Sequence, residues 1–169
     1  MSDGRIQRRV DNLLTKGTRA LHDGKPSEAA TLLERAQSLQ PDNIDVLLNL
    51  SGAYILTKKF KQAVVVLEQL KELEPDNAMI WTNLGAAYLG NPVLAKDEDQ
   101  QKAIAAFERA LALQPQAPHV AYNLGLVHRD RAEYAKALQW FQQAAEHNPQ
   151  DSDAHYYIEQ MKEKLAQNT

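Results

Sequence analysis

Apolar residues recur along the chain at the spacing of amphipathic helices. Leu47, Leu50 and Tyr54 lie three and four residues apart, and Ile104 and Phe107 repeat this spacing further along. Intervals of three and four place side chains on one face of an α-helix, whereas a half-buried strand alternates every second residue. The pattern therefore predicts an all-α chain of amphipathic helices.

The predicted helices repeat in pairs at a nearly constant interval. Pro41, Pro75, Pro115 and Pro149 are separated by 34, 40 and 34 residues. Because proline cannot continue a helix, each one ends the second helix of a pair. Polar residues after three of them supply N-cap oxygens for the next helix: Asp42-Asn43, Asp76-Asn77 and Asp151-Ser152. The same interval relates small residues, alanines and large apolar residues: Gly17, Ser51, Gly85 and Gly125; Ala29, Ala63, Ala103 and Ala137; and Leu33, Leu67, Phe107 and Phe141.

The third pair carries the complete signature of a known repeat. It reads Trp81-x2-Leu84-Gly85-x2-Tyr88, followed by Ala103-x3-Phe107 and then Pro115. This pattern resembles the tetratricopeptide repeat (TPR), in which each unit is a pair of antiparallel helices. The resemblance covers roughly residues 10 to 151 and implies an α-solenoid, with stacked pairs forming a right-handed superhelix.

The repeat interval divides the chain into four units and two ends. The units are 10–43, 44–77, 78–117 and 118–151, with an N-terminal extension at 1–9 and a C-terminal capping helix at 152–169. Residues such as Ile158 and Met161 give the last helix one apolar face, as expected of a helix that caps the stack. The extension is basic through Arg5, Arg8 and Arg9, and it either frays or adds a turn to the first helix.

The third unit is six residues longer than the others, at about residues 90–99, between its two helices. Two interpretations remain open. The first is a lengthened loop whose acidic residues stabilise the start of the next helix through its dipole. The second is a contact loop that presents Val93 and Leu94 to a partner.

The composition of the chain narrows the range of possible functions and cellular locations. The chain has 19 Lys and Arg against 22 Asp and Glu, a net charge of -3, which argues against nucleic-acid binding because that rewards a concentrated basic face. The absence of cysteine excludes disulfides, thiolate catalysis and cysteine-ligated zinc. No apolar run approaches the roughly 18 residues of a membrane span, and the start lacks a signal-peptide core. We therefore expect a soluble cytoplasmic protein without membrane insertion.

No catalytic arrangement is recognisable in the sequence. The histidines stand at positions 22, 119, 128, 147 and 155, and no two are four residues apart, the spacing that places two imidazoles on one helical face for zinc. The motifs GxxxxGK[ST], GxSxG and GxGxxG do not occur. We expect a protein that is not an enzyme, that needs no cofactor or metal, and that carries its histidines on the surface or in a groove.

The candidate binding surface is the concave side of the superhelix, which the first helix of each TPR unit lines. We call this surface the groove. Its residues, projected from the helical period, are Leu14, Leu48, Asn49, Gly52, Ile55, Leu56, Met79, Thr82, Asn83, Ala86, Leu89, His119, Tyr122, Asn123, Leu126, Arg129 and Tyr156. Many are apolar, and a large exposed apolar patch marks an interaction site. Alternatively, several of them pack against adjacent repeats.

An asparagine recurs in the groove at Asn49, Asn83 and Asn123. An amide both donates and accepts hydrogen bonds, so a row of amides at one-repeat spacing can hold an extended peptide backbone. This row resembles the asparagine ladder in the repeat superhelix of O-linked N-acetylglucosamine transferase. The alternative is that asparagine is common at this TPR position and satisfies a neighbouring helix.

The residues of a second known TPR binding mode, the carboxylate clamp, do not match this sequence. TPR adaptors of the cytosolic heat-shock chaperones clamp a terminal carboxylate with lysine and arginine. The equivalent positions here hold Leu14, Met79 and Asn83, and only Asn49 agrees. The sequence therefore argues against a carboxylate clamp.

We expect a protein–protein interaction module, or adaptor, that binds a peptide segment of a protein partner in the groove. The alternative is a self-associating scaffold, in which another copy in a homo-oligomer buries the groove or an end of the solenoid. The fold by itself does not identify the partner.

Overall fold

The computed structural model describes residues 3–90, 95–117 and 119–167. Within those residues the chain forms nine α-helices and no strand, which confirms the all-α prediction. The helices are α1 (Asp3–His22), α2 (Pro26–Gln37), α3 (Ile44–Leu56), α4 (Phe60–Leu73), α5 (Ala78–Leu89), α6 (Asp97–Leu113), α7 (Val120–Asp130), α8 (Tyr134–His147) and α9 (Ser152–Gln167).

The helices pack in chain order. α1 packs on α2, α3 on α4, α5 on α6 and α7 on α8, and the second helix of each pair also packs on the first helix of the next. α9 packs on α8 at the C-terminal end. Each pair buries its apolar face by stacking on its neighbours, which is the arrangement of an α-solenoid.

Small residues in the first helix of a pair allow the second helix to approach closely. A Cβ atom on Gly85 would lie 2.6 Å from two ring carbons of Phe107, and one on Gly125 would lie 2.6 Å from a ring carbon of Phe141. Both phenylalanines are fully buried, so their rings have no free space into which to move. The observed packing therefore requires glycine at both positions.

Within three of the pairs, the helices turn through a residue with left-handed backbone geometry: Gly24 (φ 70°), Lys58 (φ 59°) and Ala132 (φ 57°). The N–H of the following residue bonds to the carbonyl five residues earlier, as Glu133 does to His128 at 2.9 Å. This is the Schellman form of helix C-cap, which favours glycine. Lys58 and Ala132 adopt it against the preference of their side chains.

Between pairs, each repeat interval ends in a proline turn. The closing N–H···O bond of the turn spans residues 40–43, 74–77, 114–117 and 148–151, with proline in second place. Asn43 then accepts a hydrogen bond from the Val46 N–H at 3.1 Å and caps α3. Asn77 and Asp151 bond to the first N–H groups of α5 and α9 in the same way. Three of the turns therefore end one unit and cap the next, whereas the turn at 114–117 is followed by His119, which makes no side-chain cap bond to α7.

The longer third unit lengthens a helix as well as a loop. α6 begins ten residues before Phe107, whereas α8 begins seven residues before Phe141. The three additional helical residues, 97–99, are all acidic and lie where the helix dipole favours negative charge. The predicted contact residues Val93 and Leu94 lie outside the described residues.

The first helix is also longer than its equivalents. α1 has 20 residues, whereas α3, α5 and α7 have 13, 12 and 11. Val10 is fully buried and Ile6 is half-buried in the same apolar cluster. The side chain of Gln40 donates a 2.6 Å hydrogen bond to Gln7. Residues 3–9 are therefore packed turns of α1.

Candidate functional site

The predicted groove extends from α1 along α3, α5 and α7 to the start of α9, and none of its residues is buried. Leu56, Met79 and Tyr156 are 62%, 55% and 59% exposed. His119 is exposed as well, and the half-buried members include Gly52, Thr82, Ala86, Leu89 and Arg129. Large apolar side chains left this exposed mark a surface suited to a partner.

Other apolar groove residues pack partly against neighbouring repeats. Leu14, Leu48 and Ile55 are half-buried against the core shared by the first three units. Tyr122 and Leu126 pack in the same manner against the C-terminal core. These side chains therefore contribute to the stacking of the units.

The three groove asparagines differ in whether their amides are already used. The Asn49 amide donates to the Asp45 carbonyl at 2.8 Å, and its oxygen accepts from the Thr18 hydroxyl at 3.3 Å. Asn83 and Asn123 have no hydrogen-bond partner among the described residues. No buried polar side-chain atom in that part of the chain lacks a partner, so both free amides reach the solvent.

A small pocket opens beside Asn123, between α5, α6 and α7. It has a volume of about 120 Å³, and it is lined by Leu89, Gln100, Asn123, Leu126, Val127, Arg129 and Asp130. A larger depression of about 640 Å³ lies at the turns 74–78 and 113–114, away from the groove residues. We consider the smaller pocket the better candidate because it combines aliphatic walls with a free amide.

At the C-terminal end of the groove, an aromatic cluster holds an arginine in place. The rings of Tyr122, Phe141 and Tyr157 lie 4.9 to 6.0 Å apart between centroids. The Arg129 guanidinium lies 4.9 Å from the centre of the Tyr157 ring and donates to Asp130 at 2.6 Å. Burial raises the pKa of Tyr122. Arg129 is therefore both stacked on an aromatic ring and paired with a carboxylate.

A tyrosine–glutamate hydrogen bond links successive units, and the sequence reasoning did not identify it. Tyr54 of the second unit donates to Glu34 of the first at 2.9 Å, and Tyr88 of the third unit donates to Glu68 of the second. Burial, together with this carboxylate, raises the pKa of Tyr54 to about 12, so the phenol remains a donor at neutral pH. The signal available in the sequence is the 20-residue separation that both pairs share.

The fourth unit replaces this link with another. His128 stands at the repeat position of Tyr88, is 5% exposed, and lies 2.8 Å from a Glu133 oxygen. The prediction that the histidines lie on the surface or in the groove is therefore wrong for His128, which fills a core position. Arg131 bridges the units instead, because it pairs with Asp97 at the lengthened start of α6 and with Glu133 at 2.9 Å.

The described groove side chains are amides, apolar groups, two tyrosines, the Thr82 hydroxyl, the His119 imidazole and one stacked arginine. No group of three or more histidine, aspartate or glutamate side chains within residues 3–90, 95–117 and 119–167 could hold a metal ion. Across the same residues, no helix combines the length and apolar character needed to cross a membrane.

Sequence comparison places the helical array in a family. Two tetratricopeptide-repeat models match the chain, at residues 20–87 and 92–154. The chain belongs to the TPR family. TPR repeats are generally non-catalytic scaffolds for protein–protein interaction, so such a role follows at the family level. No protein with a curated description matches the chain.

Solved TPR structures share the fold. The chain is similar to a MamA protein, with a TM-score of 0.81 and 23% identity over 95% of this chain and 84% of that one. A thermophilic TPR protein of Thermus thermophilus matches with a TM-score of 0.74 and 20% identity, over 92% of this chain and 82% of that one. The first TPR domain of the human RPAP3 protein matches with a TM-score of 0.64 and 22% identity, over 74% of this chain and 94% of that one. These likenesses support the solenoid fold.

Proposed function

We propose that this TPR protein binds an extended peptide segment of a protein partner along the groove. The observation that carries the proposal is the pair of free amides on Asn83 and Asn123, which stand at the same position of consecutive units. Each amide both donates and accepts, so the two can pair with a peptide backbone whatever its side chains. The Asn49 amide already bonds to Thr18 and Asp45, so backbone contact centres on the second half of the groove.

Selectivity for side chains comes from the pocket beside Asn123. The pocket has a volume of about 120 Å³ and walls formed by Leu89, Leu126 and Val127, so it suits an aliphatic side chain such as valine, leucine or isoleucine. The exposed side chains of Leu56 and Met79 add apolar contact elsewhere in the groove. The expected ligand is an extended segment with at least one aliphatic anchor.

The proposal is tested with peptides selected from a random display library against the wild-type protein and titrated by fluorescence anisotropy. We expect the double variant Asn83→Ala/Asn123→Ala to bind at least about tenfold more weakly, because each amide loses at least one hydrogen bond worth about 1 kcal/mol. Asn49→Ala is expected to change the affinity by less than about threefold, since its amide is already engaged within the protein.

Asn49→Ala is a matched control, because it makes the same chemical change at the same repeat position. Circular dichroism checks that helicity is equal in all variants. Equal weakening by Asn49→Ala and by the double variant, or no weakening by either, contradicts the assigned role of Asn83 and Asn123.

The exposed apolar side chains also favour a second function, burial of the groove by another copy of the chain. Such an association would cover Leu56, Met79 and Tyr156. Sedimentation over about a hundredfold range of concentration distinguishes the two functions. A mass that rises with concentration and falls again on addition of selected peptide supports self-association through the groove, and a constant monomer mass rules it out.

A further inference from the structure

The first helix carries a row of cations, Arg5, Arg8, Arg9, Lys16 and Arg19, which we call the basic stripe. α1 has only two aspartates against these five cations, in a chain whose net charge is -3. All five side chains are exposed. At 3.6 residues per turn they fall within an arc of about 100° around the helix axis, and at 1.5 Å per residue they extend over about 21 Å.

The helix that bears the basic stripe is fixed in orientation. On its other face Val10 is fully buried and Leu13 is 7% exposed, and the hydrogen bond between Gln40 and Gln7 ties its first turns to the end of the first unit. Burial of one face prevents the helix from rolling about its axis. The cations are therefore held in a constant row.

Ion pairing within the described residues leaves the cations of the basic stripe available to a partner. None of them forms an ion pair with a carboxylate among the described residues, and Arg8 donates instead to the Gly4 carbonyl at 3.1 Å. Some exposed cations elsewhere do find partners, since Lys102 pairs with Glu98 and Arg109 with Asp76. A fixed row of unpaired cations is electrostatically complementary to an anionic partner.

The side chains around the stripe distinguish between kinds of anionic partner. Single-stranded nucleic acid binds through aromatic stacking, and α1 contains no aromatic residue. An interfacial membrane helix needs exposed apolar anchors, and the large apolar residues of α1 are all at least half-buried. The phosphates of a nucleic-acid duplex extend far beyond the length of the stripe, about 21 Å, and the negative net charge of the chain opposes their binding.

A protein partner with carboxylates fits better. Four of the five cations are arginines, whose planar guanidinium groups pair bidentately with carboxylates. Arg8 and Arg9 follow Arg5 by three and four residues, and Arg19 follows Lys16 by three. Two such groups, seven residues apart, match carboxylates placed along one face of a second helix.

We propose that the basic stripe is a second binding surface, which docks an acidic helical segment of a protein partner through arginine–carboxylate pairs. The stripe occupies a different arc of α1 from the groove residue Leu14, so both surfaces can be occupied at the same time. The proposal does not depend on peptide binding in the groove.

The probe is a 21-residue alanine-based helical peptide with glutamates at alternating spacings of three and four, compared with its glutamine counterpart. The stripe variant is Arg5→Glu/Arg9→Glu/Lys16→Glu. The matched control, Lys61→Glu/Lys96→Glu/Lys164→Glu, makes the same change in net charge at lysines outside α1. Glutamates near the start of α1 also favour the helix dipole, so loss of binding is not a consequence of unfolding, as circular dichroism will verify.

We expect the stripe variant to bind the glutamate peptide at least about tenfold more weakly than wild type, and the control to differ by less than about threefold. Binding should weaken as salt rises from about 50 to about 200 mM, and the glutamine peptide should not bind. Asn83→Ala/Asn123→Ala is expected to bind the probe like wild type, which separates this surface from the groove.

Three results overturn the proposal. Equal loss in the stripe variant and the control shows a response to overall charge alone. Binding of the glutamine peptide as tightly as the glutamate peptide removes the role of carboxylates. Tighter wild-type binding to a 21-base-pair duplex, or to phosphatidylserine vesicles, assigns the stripe to another class of partner.

Discussion

Single atoms at repeated positions decide how closely the helices pack and which groups remain available to a partner. At Gly85 the absence of a Cβ atom leaves room for the ring of Phe107. Two residues earlier in the same helix, Asn83 keeps its amide free. A substitution in one helix turn therefore acts on stability or on binding, according to the face on which the residue lies.

Replacing Gly85 with alanine is expected to destabilise the protein by about 1–3 kcal/mol, because the new Cβ would lie 2.6 Å from the buried Phe107 ring. Gly52→Ala is the control, since a Cβ there meets nothing within 4 Å. It should stabilise the helix by about 0.5–1 kcal/mol through lower chain entropy in the unfolded state. Urea unfolding measures both changes, and equal stability of the two variants would contradict the packing argument.

Packing positions were predictable from the sequence, whereas the state of individual polar groups was not. Gly85 and the small residues equivalent to it recur at the repeat interval in the sequence, because every unit must bury the same face of its first helix. The Asn49 amide differs from the Asn83 amide in having a hydrogen-bond partner, the Thr18 hydroxyl on a neighbouring helix. The repeat interval does not predict this contact. The prediction was wrong for His128 because its burial follows from its repeat position, which it shares with the buried Tyr54, and not from the polarity of its side chain.

At the scale of the element, turns and helix ends determine how the units join. Three pairs close through the same left-handed turn, although only Gly24 has the residue type that this turn prefers. At the third junction, the lengthened α6 brings Asp97 to Arg131 where earlier units use a tyrosine–glutamate bond. The 40-residue interval in the sequence predicted six additional residues. It did not predict that three of them extend α6, because the interval does not show where the helix begins.

Ala132→Gly is expected to stabilise the protein by about 0.5–1 kcal/mol, because residue 132 has a φ of 57°, which glycine adopts without a Cβ penalty. The control is Ala105→Gly, at an exposed position inside α6, where glycine should cost about 1 kcal/mol. Thermal unfolding of the two variants provides the comparison. Loss of stability at both positions would be inconsistent with strain at Ala132.

The fourth unit should lose part of its stability in acid. Hydrogen bonds from Arg131, Lys136 and His128 lower the pKa of Glu133 to about 2. Since its pKa in the unfolded chain is about 4.3, the carboxylate stabilises the fold fully above that pH, and this contribution disappears as the pH falls toward 2.

Glu133→Gln is therefore expected to cost about 1 kcal/mol at pH 7, a modest value because the side chain is partly exposed. Urea unfolding at pH 7, 5 and 3 measures the difference between the variant and wild type. The difference should shrink as the pH falls, and a difference that is constant with pH would refute the assignment.

On the scale of the whole molecule, stability is a sum of contacts between neighbouring units, since each helix packs mainly on the helices next to it in the chain. The two proposed binding surfaces are carried by this one scaffold, the groove on the first helices and the basic stripe on α1. Damage at one end should consequently remain local.

Met161→Asp provides a test of this locality. Met161 is 2% exposed in the cluster that joins α9 to Phe141, so a charge there should release α9. Amide hydrogen exchange is expected to rise about tenfold or more in α7 to α9 and to change little in α1 to α4. The control Lys164→Asp, at an exposed site on α9, should leave exchange unchanged, and a uniform rise in Met161→Asp would show global cooperativity instead.

The central claim, peptide binding through the free amides of the groove, is tested most directly by NMR of the asparagine side-chain NH2 groups during titration with a selected peptide. We predict that the Asn83 and Asn123 signals shift and show nuclear Overhauser effects to the peptide backbone, while the Asn49 signal stays in place. Shifts confined to exposed residues of α4 such as Val65 and Leu73, with Asn83 and Asn123 unmoved, would contradict the claim.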